Sequence, residues 1–469
     1  MVTTKWFARR MQAPWFAALS LAVTGLPHAA AQQFPPLARS NFNLSAPHGF
    51  GDRQNSWPWT MEWFNGQLYV GTLRAGDCVY TIGTSAYPPT DPDVSCPTDA
   101  NTLPLQAEIW SWSPATNIWN RVFQSPQDLL IPGTSSQYVA RDIGFRGMQV
   151  FTESDGTRAL YVSGCSSKTF HPGLPGGRIL RSIDGLTFTP VPQDPGTLLG
   201  NLGNACFRGT AVYNGKFYVV TCNTLGNEGV LLEATDPKLG NNNFRVVSPA
   251  GVAVSEVGVY NNYLYATFSS KAGFIVAKTT ATGSPPYSFT NVMINAGYST
   301  SSIPNIRALS LQEFNGDFYV GGESTTYQFG AELFRIHADD TWDLLVGQSR
   351  STPIGTKTAL SGFKAGFGWQ FNTALERMEV YDGRLYVGTF DSSYAFRFYN
   401  NPTFQSIVGP WMGFDLWVTG DGVHYSPVDL HGFGEILNQG VRTLKSTPQG
   451  LFVGAANWFY GLEVWQGLP

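Results

Sequence analysis

The sequence predicts an all-β fold: a single seven-bladed β-propeller of four-stranded blades, closed by an N-terminal strand joining the C-terminal blade. Three observations point there. One hairpin pattern recurs seven times, further apolar strands follow each copy, and the last copy ends one strand short.

The clearest hairpin is MEVYDGRLYVGT (378–389), two alternating apolar strands around Asp382-Gly383. Asp-Gly and Asn-Gly are the strongest short hairpin signals, because both turn residues take positive φ. The pattern returns as MEWFNGQLYVGT (61–72), TAVYNGKFYVVT (210–221), VGVYNNYLYATF (257–268) and LQEFNGDFYVGG (311–322), with looser copies at 148–164 and 444–455. A third apolar strand follows each, at 108–112, 179–182, 230–233, 274–278, 332–336, 414–419 and 462–465. A fourth follows six of them, at 117–122, 188–191, 244–247, 289–294, 342–346 and 425–428. The seventh copy lacks one, and residues 39–44 can supply it. Such a splice removes the open edges that invite aggregation. The shortest step between turns, Asn214 to Asn261, suits one blade. Longer steps hold loop insertions, chiefly 81–104, 126–137, 166–177, 349–368 and 392–413.

Composition agrees. With 14% aromatic and 13% charged residues, 51 Gly and 30 Pro, the chain is too apolar for disorder and too turn-rich for a helical protein. A net charge of −4 gives no footing for nucleic acid or an anionic membrane. Residues 1–31 read as a secretory signal peptide: Lys5, Arg9 and Arg10 precede an apolar run at 13–26, and an Ala-x-Ala site ends at Ala31. Arg9-Arg10 also allows a twin-arginine signal. The propeller domain then occupies 32–469, with no second apolar run long enough to span a bilayer. The expectation is a soluble monomer, secreted or periplasmic.

Export permits disulfides, and five cysteines leave one over. Cys78 and Cys96 bracket an insertion, and Cys206 and Cys222 flank the Asn214-Gly215 turn symmetrically. The expected bonds are Cys78–Cys96 and Cys206–Cys222, with Cys165 a buried thiol. A Cys165–Cys206 bond between adjacent blades is the rival.

A propeller ligand sits at the channel mouth, where each innermost strand begins. Three approaches to that strand are near copies: Gly49-Phe50-Gly51-x3-Asn55-x3-Trp59, Gly366-Phe367-Gly368-x3-Asn372-x3-Glu376 and Gly432-Phe433-Gly434-x3-Asn438-x3-Arg442. Weaker echoes are Asp142-x3-Arg146, Asn204-x3-Arg208 and Asn305-x3-Leu309. The Asn reads as a turn-holding side chain, bonded to nearby backbone. The position four residues on is variable, so turn geometry does not dictate it. Trp59, Arg146, Arg208, Glu376 and Arg442 would converge at the mouth. Either the guanidinium groups clasp an anion, or they form inter-blade ion pairs, Glu376–Arg442 being the obvious one. A second ring, at the end of each second strand, includes Arg74 and Asp391. Glu376 and Asp391 are then the candidate catalytic carboxylate pair, with Trp59, Arg74, Arg146, Arg208, Arg442 and His431 as substrate-binding candidates. No metal-ligand spacing appears among the histidines, and no cofactor is expected; Asp91, Asp93 and Asp99 leave Ca²⁺ open.

Two turns, Ser182-Ile-Asp184-Gly-Leu-Thr-Phe188 and Thr419-Gly-Asp421-Gly-Val-His-Tyr425, resemble the Asp-box of sialidase-like propellers, S/T-x-D-x-G-x-T-W. Here Gly directly follows Asp, and Phe or Tyr replaces Trp. The resemblance implies that Asp184 and Asp421 cap turns on the face opposite the active site, with the aromatic packed between blades. The resemblance supports fold more than function; with export, the Arg cluster and the two nearby acids, it makes a carbohydrate-active enzyme, a hydrolase or lyase acting on an anionic glycan, the expected function. Loop tryptophans at 57, 369, 411 and 458 suit stacking on sugar rings. The alternative is a non-catalytic propeller that binds a glycan or a protein; a lactonase- or oxidoreductase-type propeller with a channel metal is a third reading.

Overall fold

The structure is a computed structural model, and it describes residues 35–223, 229–299, 304–325, 329–397 and 401–469. The expected leader, 1–31, lies outside the described residues. The chain is all-β, built of antiparallel sheets joined by loops and short helices. No helix among the described residues is long and apolar enough to cross a membrane.

Seven four-stranded antiparallel units follow one another. Their first strands are Asn55–Phe64, Gly144–Thr152, Cys206–Tyr213, Val254–Tyr260, Arg307–Phe314, Asn372–Tyr381 and Gly440–Thr447. Each pairs with the next strand through the hairpin seen in the sequence. Five of these turns carry two residues at positive φ, such as Asn65 (48°) with Gly66 (77°) and Asp382 (47°) with Gly383 (68°). The third and fourth strands follow in order, so six units are complete meanders. The seventh takes its outermost strand from the other end of the chain: Phe42–Leu44 pairs with Glu463–Gly467, Phe42 facing Gly467 and Leu44 facing Trp465.

Each first strand packs against the first strand of the next unit, and the seventh against the first. Glycines in the second strands permit the approach. A Cβ on Gly388 would strike Val441 of unit 7, and one on Gly454 would strike Pro58 of unit 1. The core is a series of apolar clusters between consecutive units, such as Phe64, Tyr69, Phe145, Leu160 and Phe188 between units 1 and 2.

The Asp184 and Asp421 turns are structural. Asp184 Oδ1 accepts from the backbone N–H of Leu186 (2.8 Å) and Thr187 (2.7 Å), and those bonds hold its carboxyl down to about 2. Asp421 Oδ1 accepts from Val423 and His424 in the same way. Phe188 and Tyr425 pack into the clusters between units.

The cysteines follow the expectation once and depart from it once. Cys78–Cys96 is bonded. The second bond is Cys165–Cys206, not Cys206–Cys222, and Cys222 is the buried thiol. Cys206 lies directly opposite both cysteines: it faces Cys222 within its hairpin and Cys165 across the junction of units 2 and 3, so hairpin symmetry alone does not select its partner.

Candidate functional site

One feature of the first strands builds the site. In every unit the hairpin register slips by one residue in the first half of this strand, and in units 1 and 6 it slips once more, at Ser56 and Thr373, nearer the strand start. The extra residue is Trp59, Arg146, Ser255, Leu309, Glu376 or Arg442, and in unit 3 it falls within Arg208-Gly209. A bulge leaves its residue out of the ladder and re-aims its side chain. The variable position of the sequence is therefore the bulge. Ser255 was missed because Gly251 stands where the other units carry Asn or Asp.

The Asn four residues earlier is the constant part. Asn55, Asn372 and Asn438 donate to the carbonyls of Gly49 (2.9 Å), Gly366 (3.0 Å) and Gly432 (2.8 Å). The same amide nitrogens donate to a buried acid on the third strand: Glu108 (2.8 Å), Asp415 (2.7 Å) and Glu463 (2.6 Å). Gly49-Phe50-Gly51 and its two copies are turns in which Phe50, Phe367 and Phe433 hold φ of 55°, 56° and 59°. Such a conformation is costly for Phe. Ring packing holds it in place: Phe50 stacks on Trp110 at 4.7 Å, and Phe367 on Trp417 at 4.6 Å.

A cavity of about 310 Å³ opens at the bulge end of the first strands. One wall is aromatic. Trp57 and Trp458 stack at 5.6 Å, Tyr80 lies 5.5 Å from Trp458, and Tyr394 meets Trp458 edge-on at 5.3 Å. The other wall is ionic. Arg442 Nη1 binds Glu376 Oε1, and Arg307 Nε lies 2.7 Å from Glu323 Oε2, with Arg146 beside them. Burial pushes the Glu323 carboxyl up, with Arg307 opposing and Glu376 reinforcing. Burial, and then the neighbouring Arg208, push Arg146 down to about 9. The indole N–H groups of Trp57 and Trp458 have no acceptor among the described residues.

Of the predicted site residues, Arg146, Glu376 and Arg442 line this cavity. Glu376 and Arg442 are the inter-unit ion pair of the alternative reading. Trp59 lies beneath, fully buried, with the Arg146 guanidinium 5.1 Å from its ring. Arg208 is buried outside the lining, 4.0 Å from Glu256. Arg74 is a structural clamp: it donates to Asn55 Oδ1 (2.9 Å) and Pro104 O (3.0 Å), and pairs with Asp52 (2.8 Å). Asp391 does not join Glu376 in the cavity. Its carboxylate accepts from Trp369 Nε1 (3.0 Å) and the Ser393 N–H (2.5 Å), which starts the next turn. Burial pushes Asp391 up to about 7. His431 is exposed beside Trp411, away from the lining.

The missed residues are Glu323, Arg307, Tyr80 and Tyr394. Glu323 and Arg307 are direct strand partners, which the sequence signals as Cα neighbours across a hairpin. Tyr80 and Tyr394 come from the insertions after the second strands of units 1 and 6. These insertions meet where Arg397 pairs with Asp91 and Asp93 (3.0 Å). Those aspartates are thus engaged by a guanidinium, Asp99 caps a turn, and among the described residues no cluster of three His, Cys, Asp or Glu is arranged for a metal.

Two further rings lie below the bulges. The next residue along each first strand is Thr60, Gly147, Gly209, Glu256, Ser310, Arg377 or Thr443. The one after is mostly apolar, including Met61, Met148, Leu311, Met378 and Leu444.

No family model and no curated protein matches the chain. Solved structures do show likeness. An ancestral GH74 enzyme aligns over 89% of this chain and 48% of its own, at 8% identity and a TM-score of 0.48. The polysaccharide lyase Uly1 aligns over 90% of both chains, at 7% identity and 0.47. A prolyl endopeptidase aligns over 73% of this chain at 12% identity and 0.35, and the chain spans 40% of its length. At these values no argument for the reaction rests on them.

Proposed function

We propose that the seven units form one seven-bladed β-propeller and that the cavity at its channel mouth binds a sugar bearing a carboxylate. The observation that carries the ligand reading is the aromatic wall. Two stacked indoles line the cavity beside guanidinium and carboxylate groups. Sugars match this pairing, since one ring face is apolar and the rim is a row of hydroxyls. Ligand sites commonly join an apolar surface to a few placed polar groups. The described lining carries Arg146, Arg307 and Arg442 against Glu323 and Glu376, which favours an acidic sugar.

If a glycosidic bond is cut here, Glu323 is the acid, since its carboxyl is raised, and Glu376 is the carboxylate across from it. Glu323 thereby replaces Asp391 in the proposed pair. One observation favours pure binding instead: Glu376 is already paired with Arg442. Calorimetry with uronate-containing and neutral oligosaccharides tests the binding. The acidic set should bind and Trp458→Ala should weaken it at least tenfold; equal binding of both sets would remove the acidic-sugar reading. Wild-type turnover lost in Glu323→Gln, with binding kept, supports the enzyme. No turnover on any acidic glycan leaves the binding module.

A further inference from the structure

Three cysteines lie side by side on three consecutive strands of one sheet. Lys216–Cys222 pairs with Cys206–Tyr213, which pairs in turn with Arg158–Cys165. Cys206 stands directly opposite Cys222 on one flank and Cys165 on the other. Directly opposed residues of an antiparallel pair project from the same face, so the sulfurs form a row with Cys206 in the middle. All three residues are fully buried in one apolar cluster. We propose that they form an internal thiol–disulfide relay, in which the bond to Cys206 passes between Cys165 and Cys222.

Geometry is the first argument. Opposed residues of an antiparallel pair hold their Cα atoms about 4.5–5.5 Å apart, inside the span of roughly 4.4–6.8 Å that a disulfide bridges. Either neighbour can therefore bond Cys206 while the strands keep their register. Exchange proceeds by attack of a thiolate on a disulfide sulfur. The row supplies an in-line approach: Cys222 attacks from one flank of Cys206, and Cys165 leaves on the other. The Cys222–Cys206 sulfur bond forms as the Cys206–Cys165 bond breaks, and Cys165 takes up the proton that Cys222 gave up. One disulfide and one thiol stand on each side of the reaction, so no oxidant or reductant is consumed.

Charge is the second argument. The thiolate is the nucleophile, and a neighbouring guanidinium favours it over the thiol. Arg146 Nη1 lies 4.0 Å from Cys222 Sγ, so the attacking sulfur has a cation at hand. Burial keeps soluble thiols away from all three cysteines, which confines the chemistry to the row. The two products differ in what they tie together. Cys165–Cys206 links unit 2 to unit 3. Cys206–Cys222 would close the unit 3 hairpin and leave Cys165 a thiol at the end of its strand.

The test uses the whole folded protein, equilibrated between pH 5 and pH 8, quenched in acid, then denatured and alkylated for non-reducing peptide mapping. Wild type should contain both Cys165–Cys206 and Cys206–Cys222, with Cys78–Cys96 intact. Raising the pH should shift the ratio toward Cys165–Cys206, because Arg146 favours the thiolate at Cys222, and Arg146→Gln should flatten that shift. Cys165→Ser should hold Cys206–Cys222 bonded, and Cys222→Ser should hold Cys165–Cys206 alone. In Cys206→Ser, Cys165 and Cys222 should both be thiols, since a strand separates them. Cys165–Cys206 alone in wild type at every pH would overturn the relay, and this reading needs no variant to fold. Two thiols at Cys206 and Cys222 in folded Cys165→Ser would overturn it too. So would Cys78 or Cys96 joining the exchange, which would assign it to unfolding.

Discussion

Units 6, 7 and 1 differ from units 2 to 5, although all seven share one strand plan. In the first group a left-handed Gly-Phe-Gly turn, an Asn and a buried acid form one bonded set, repeated three times. In the second group the same position does other work. Asn204 donates to Cys206 O, Asn305 accepts from the Glu332 N–H, and Asp142 pairs with Arg178. The cavity is divided along the same line. Its aromatic wall comes from units 1, 6 and 7, and its Arg146, Arg307 and Glu323 come from units 2 and 5. Units 1, 6 and 7 hold the stacking surface and the Glu376–Arg442 pair; units 2 and 5 add the remaining charge.

Substitutions can break that contrast. The largest effect is expected at the junction of units 6 and 7, where Glu376→Ala strands Arg442 in the interior. Breaking a buried pair from one side costs about 3–5 kcal/mol. Glu323→Ala, in a pair about one-fifth exposed, should cost clearly less in the same urea titration. Equal losses would mean that the two halves are equally dependent on their ion pairs.

Asp391 gives the next effect, and it is read by pH. Its folded pKa is raised to about 7 from 3.8. The unfolded chain ionises first, so stability is full below pH 4, falls as pH rises and levels off above 7. The fall is up to about 4 kcal/mol. Asp391→Asn should flatten the profile across that window, and an unchanged slope would place the titration elsewhere.

Asn438→Ala removes donors to Gly432 O and Glu463 and the acceptor for Asn457, so about 2–3 kcal/mol should be lost. Asn204→Ala, in the divergent group, removes one bond to Cys206 O and should cost about 1 kcal/mol. Sugar affinity should stay the same in both. If the two substitutions cost the same, the bonded set of units 6, 7 and 1 is no stronger than its substitutes.

The hairpins were legible because their chemistry is local: Asn-Gly and Asp-Gly fix the turn within two residues. The bulge ring was legible because the constant Asn marks a variable residue four positions on, and it failed at Ser255, where the marker is Gly251. The partners of that Asn were harder. Glu108, Asp415 and Glu463 each precede an apolar residue and a Trp, yet their pairing closes over long stretches of chain. Tyr80 and Tyr394 sit on insertions whose mutual contact, through Arg397, no periodicity encodes. Cys206 was ambiguous for a simpler reason, since two strands offered it a cysteine at the same level.

The pairing of Phe42–Leu44 with Glu463–Gly467 also sets an order in time. Synthesis delivers Phe42 before units 1 to 6 and its partner strand after them. Units 1 to 6 can form in sequence as the chain emerges. Unit 7 has to wait, because its outermost strand is made before units 1 to 6 and its other three after them. Contacts this distant in sequence are slow to form, and until they do, an unpaired strand edge stays open at the seam. The seam is therefore where a nascent chain is most exposed to a neighbour doing the same.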